Sequence, residues 1–100
     1  MALLATKNIT AQNQFTDAVR LEGYFNLSIT GPTFTNTTTV TVQRSPDNVT
    51  WYDVDTFTAP SENVGFDPEN MWYRVGVKTG QFTAADDINV RLGREDNNRH

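Results

Sequence analysis

The chain reads as an all-β protein, a single antiparallel β-sandwich of about seven or eight short strands with an extended N-terminal arm. Three observations lead there. Segments alternate apolar and polar residues with a period of two. The clearest runs from Val19 to Thr30, where Val19, Leu21, Gly23, Phe25, Leu27 and Ile29 face one way and Arg20, Glu22, Tyr24, Asn26, Ser28 and Thr30 the other. Clusters of Gly, Pro, Asn, Asp and Ser punctuate the chain about every 8–12 residues. No stretch carries a helical period, and Thr and Asn are plentiful while Glu and Ala are sparse.

Residues 1–14 are expected to form the arm, polar enough through Asn8-Ile9-Thr10-Ala11-Gln12-Asn13 to be an edge strand or an extended segment. Residues 15–94 form the sandwich domain, and residues 95–100 a polar C-terminal tail. Phe15-Thr16-Asp17-Ala18 bends into the strand that begins at Val19, and Gly31-Pro32 ends that strand. A Thr-rich segment then leads into a hairpin whose first arm places Thr38, Val40 and Val42 on the core face. Its turn is Ser45-Pro46-Asp47-Asn48, where Pro presets φ and Asp and Asn tolerate left-handed backbone. The second arm starts at Trp51-Tyr52 and ends near Phe57. Thr58-Ala59-Pro60-Ser61 makes another turn, and Glu62 to Phe66 reads as a short strand with Val64 and Phe66 inward. Asp67-Pro68-Glu69-Asn70 reads as a loop. Alternation resumes from Met71 to Thr79, with Met71, Tyr73, Val75 and Val77 inward, and a last strand turns Ile88, Val90 and Leu92 inward. A small barrel is the competing architecture.

One hundred residues, 37% of them hydrophobic, suffice for one domain with a single core. The chain has no cysteine, so disulfides and thiolate metal sites are excluded. A net charge of −4 with scattered Lys and Arg argues against nucleic acid as the main partner. No apolar run approaches transmembrane length, so no membrane partner is expected. Met1 to Lys7 lacks the basic start and apolar length of a signal peptide, which points to synthesis without secretion.

Few residues invite chemistry. The single histidine, His100, ends the polar tail and is a poor base for a triad or a metal site. Asp53 and Asp55 lie two apart, so on a regular strand they share a face, either as a Ca²⁺ or acid–base pair or as solvated neighbours of Arg44 or Arg74. Asp86-Asp87 fits a turn. Asn-x-Ser/Thr triplets begin at Asn8, Asn26, Asn36 and Asn48 and are expected to be unused without secretion. Trp51, Tyr52, Trp72, Tyr73 and Tyr24 include neighbouring pairs, so one ring of each pair points outward, toward a sugar, a protein or a covering loop. No catalytic residue, cofactor or metal is expected.

Ser45-x-Asp47-x-x-Thr50-Trp51 resembles the Asp-box turn with one residue deleted and its glycine missing. That motif is structural: it implies that Ser45, Asp47 and Thr50 knit the hairpin and Trp51 packs beneath it. More broadly, Leu21 to Ile29, Val40 to Ser45, Trp51 to Pro60, Tyr73 to Gly80 and Val90 to Leu92 resemble small virion proteins of tailed bacteriophages, over residues 8–93. The resemblance implies an Ig-like or jelly-roll-like sandwich on the virion, made in the host cytoplasm. Its expected role is non-enzymatic decoration or cementing of the capsid, with the major capsid protein as partner and a homotrimer as the favoured assembly. Leu3, Leu4 and Ile9 of the arm, and Tyr24, Trp72 and Arg74 of the strands, are the interface candidates. A glycan- or receptor-binding module of a head or tail fibre is the alternative, with Trp72 and its neighbours as the sugar platform.

Overall fold

Alternating side chains build strands nearly everywhere the computed structural model describes the chain, which is residues 2–31, 38–81 and 88–94. The elements are β1 (Ala2–Ile9), β2 (Gln14–Phe15), β3 (Val19–Thr30), β4 (Val40–Ser45), β5 (Tyr52–Phe57), β6 (Ser61–Val77) and β7 (Ile88–Arg94). They form one antiparallel sheet in the order β1-β7-β3-β6-β4-β5, with β2 paired to the end of β6. The outer strands β1 and β5 do not pair with each other, so the sheet is open and the barrel alternative fails. The expectations at Pro32 to Thr37, Asp86-Asp87 and the tail, including His100, lie outside the described residues.

A single apolar cluster draws Leu27 and Ile29 from β3 and Val90 and Leu92 from β7. It also draws Val40 and Val42 from β4 and Val75 and Val77 from β6. One flat sheet cannot bring those rows together; the sheet folds over so that its two halves share an interior. The shortest dimension, 17 Å, is consistent with a sandwich of two layers about 10 Å apart. The inward rows read from β3, β4 and β7 are the rows found in this core.

The long strand β6 makes the fold-over possible. Its first part pairs with β3, and residues 72–76 pair with β4 on the other side. Between the pairs Gly23↔Asp67 and Leu21↔Met71, one residue of β3 faces three of β6. This bulge holds Pro68, where a missing N–H costs no ladder bond, and Gly23 at φ +79°. The expected loop at 67–70 is therefore a bulge inside one 17-residue strand. The inward row resumes across it: Tyr73 and Met71 on one side of the bulge and Asp67 and Gly65 on the other share one face, while Glu69 between them is exposed. Val64 and Phe66 consequently face outward, opposite to expectation, and Asp67 is buried.

Candidate functional site

Asp67 faces the interior because its charge is met there. Arg44 Nε donates to its Oδ2 at 2.9 Å and Arg44 Nη2 to its Oδ1 at 3.2 Å. The Tyr73 hydroxyl donates to Oδ2 at 2.5 Å, and the Glu69 amide to Oδ1 at 2.8 Å. Burial works to raise the Asp67 carboxyl, but the hydrogen bonds from Arg44 and Tyr73 prevail and hold it below the ordinary carboxylate value. Tyr73 is pushed up to about 12, by burial first and then by its bond to Asp67. The cluster ties β4 to both parts of β6.

A second network lies on the other face of the β4–β6 half. The Arg74 guanidinium stands between the Phe15 ring at 4.6 Å and the Trp51 ring at 4.4 Å, and burial lowers its pKa. Arg74 Nε donates to Gln43 Oε1 at 2.7 Å, Gln43 Nε2 to Asp53 Oδ1 at 2.8 Å, and Lys78 Nζ meets Asp53 Oδ2 at 2.6 Å. Phe15 reaches Arg74 because β2 lies directly against Gly76, where a side chain would collide with the Gln14 carbonyl oxygen. Asp53 and Asp55 do not share a face. A bulge pairs Gln43 with Asp53 and Val42 with Asp55, so Asp53 joins this network while Asp55 lines a groove between the halves. Neither Arg44 nor Arg74 is the partner of Asp53; Lys78 is.

The turn of the β4–β5 hairpin is organised by Asp47. Its Oδ1 accepts from Ser45 Oγ at 3.0 Å and from the amides of Val49 and Thr50 at 2.9 and 2.8 Å. These bonds, that from the Thr50 amide foremost, lower the Asp47 pKa. Asn48, at φ +62°, takes the left-handed position that a glycine would otherwise fill. Thr50 contributes through its backbone, and Trp51 through its stack on Arg74.

Two exposed surfaces remain. The first is the free edge of β5 and the groove beside it. Among the described residues β5 pairs only with β4; it exposes Tyr52 and Val54 and continues into β6 through Thr58-Ala59-Pro60 without pairing to it. The wedge between the two strands is a groove of about 170 Å³ with Val54, Asp55 and Phe57 on one wall and Asn63, Val64, Gly65 and Phe66 on the other. The second surface is the outward face of β1, β7, β3 and β6, where Leu3, Tyr24, Val64 and Phe66 are all exposed. Tyr24 and Phe66 are register partners with ring centroids 4.8 Å apart.

The interface candidates separate accordingly. Leu3 and Tyr24 lie on the second surface. Leu4 packs against the core, and Ile9 is fully buried within it, so neither is presented by the folded chain. Trp72 is half-buried under Arg20, whose guanidinium lies 5.3 Å from the ring and also donates to Asn70. Arg74 is held between two rings of its own chain. The aromatic platform is therefore Tyr24 and Phe66 rather than Trp72. The period of two, carried from Tyr73 back through the bulge, is the sequence signal that places Val64 and Phe66 outward. Among the described residues no three His, Asp or Glu side chains gather closely enough to hold a metal ion.

Comparison of the chain with protein-family models, with curated proteins and with solved structures returned no match.

Proposed function

We propose that this chain is a non-enzymatic structural protein of a tailed-phage virion, a decoration protein that docks on the major capsid protein and stabilises the head. The fold assigned to it is a two-layer sandwich of Ig-like or jelly-roll-like type. The observation that carries the docking role is β5. All its residues but Phe57 are exposed, its outer edge pairs with no other described strand, and an apolar groove runs beside it. An extended segment of a shell protein fits such a site by adding a strand to the edge and seating alternate side chains in the groove. The buried polar groups described above hold the strands together, which suits a rigid clamp. The pattern of strands over residues 8–93, which resembles that of small tailed-phage virion proteins, supports the reading.

The test mixes the purified chain with tailed-phage heads stripped of their decoration protein, and reads co-sedimentation and the temperature of genome release. Binding with a raised release temperature is expected, and Val54→Lys, which places a charge at the groove wall, should abolish it. Heads that neither bind the chain nor gain stability would refute the proposal. A glycan-binding module is the second reading, favoured by the exposed Tyr24–Phe66 pair, and a glycan array separates the two.

A further inference from the structure

We propose that the outward face of β3 and its neighbours pairs two copies of this chain about a twofold axis running along β3. This interaction uses the outward face and not the free edge of β5, although Val64 and Phe66 also border the groove beside that edge.

β3 is flanked by β7 on one side and β6 on the other, and the two flanks are complementary row by row. Asn26 stands opposite Gly93 on β7 and opposite Val64 on β6. Ser28 stands opposite Arg91 on β7 and opposite Glu62 on β6. One flank thus presents a hole and a cation where the other presents a knob and a carboxylate. The hole opens into a shallow notch of about 240 Å³ lined by Leu3, Asn26, Ser28, Arg91 and Gly93, which reaches across β3 to Glu62. The knob, Val64, is 72% exposed, and its neighbours on the face, Leu3, Tyr24 and Phe66, are 59%, 62% and 57% exposed.

A twofold axis along β3 exchanges β7 with β6. It lowers Val64 of each copy into the Gly93 notch of the other and sets Arg91 against Glu62 twice, the reciprocal contact that an isologous interface requires. Face-to-face sheets whose strands run nearly parallel are an ordinary packing mode. On the axis itself lies Asn26, in the same row as Gly93 on one flank and Val64 on the other. Among the described residues Arg91 forms no ion pair and Glu62 meets only the Ser28 hydroxyl. The register therefore favours a dimer over the trimer that the resemblance implies. The patch is small, so association in the micromolar range is expected.

Sedimentation velocity from about 1 to 200 µM tests this, with a shift from the 11.3 kDa chain to twice that mass expected. Arg91→Glu and Glu62→Arg should each weaken the dimer about tenfold or more, and the double variant should restore it, because the pair is re-formed with its signs exchanged. Val64→Lys should leave a monomer with an unchanged melting temperature, since the side chain is exposed. A chain monomeric at 200 µM, a dimer indifferent to the single reversals, or a double variant that stays dissociated would overturn the proposal. So would a monomer whose Tyr24→Ser variant loses binding on a glycan array, which would assign the face to sugar.

Discussion

Asp67 and Tyr73 set how this fold responds to pH. Asp67 is 1% exposed, and its folded pKa lies below the unfolded value of 3.8. Its contribution to stability is therefore complete above about pH 4 and is lost as pH falls through the folded value. Tyr73 works in the opposite sense. Its pKa rises from 10.0 to about 12, so its contribution is complete below pH 10 and is lost between pH 10 and 12. Asp47 and Asp53, also held low, add to the acid limb. Melting temperature plotted against pH should show a plateau across neutrality that falls on both sides. Tyr73→Phe should flatten the alkaline limb and leave the acid limb in place. Asp67→Asn should destabilise the fold at neutral pH by about 2–3 kcal/mol, the scale of hydrogen bonds to a buried charged group, which lowers the melting-temperature plateau, and should shrink the acid limb. An alkaline limb unchanged in Tyr73→Phe would show that the phenol is not tied to the carboxylate as described.

At the scale of elements, the N-terminal strand carries more than an edge. β1 covers β7 over the whole of its length, Ile9 is fully buried, and Leu4 and Ala5 pack against the core. Losing one such core side chain costs about 2–5 kcal/mol, against a total stability on the order of 5–15 kcal/mol for a domain of this size. Deleting residues 1–14 should therefore abolish the cooperative thermal transition seen by circular dichroism; a truncated chain that still melts cooperatively would make β1 dispensable. The strands themselves were legible in the sequence because each inward row of β3, β4 and β7 is apolar at alternate positions. β6 was not, for a physical reason. Its inward row contains Gly65 and Asp67, residues that a one-dimensional pattern assigns to solvent. What makes Asp67 an interior residue is Arg44, twenty-three positions away in sequence and adjacent only once β4 lies beside β6. The outward Val64 and Phe66, and with them the surface assigned to a second copy, follow from that one placement. The Asp53–Asp55 pair misled in the same way, since a bulge changes which residues share a face and leaves no mark in composition.

At the scale of the whole molecule, the chain closes on itself. β1 pairs with β7, so residues 2–9 lie against residues 88–94, and Ala2 is the register partner of Arg94. Most of the sheet is built from strands distant in sequence, and such topologies fold slowly because loop closure must precede the contacts that reward it. The link between β5 and β6 is the opposite case. Thr58, Ala59 and Pro60 are exposed and join two strands that do not pair, so cutting there breaks no ladder. A circular permutant that joins the natural ends through a short Gly/Ser linker and opens between Ala59 and Pro60 should keep the β spectrum of the parent. It should melt within a few degrees of it. It should also refold faster in stopped-flow measurements, because the β1–β7 pair becomes a local hairpin. A permutant that folds no faster would mean that β1 and β7 join after the rate-limiting step, which would place the folding nucleus in the β3–β6–β4 centre where Asp67, Arg44 and Tyr73 meet.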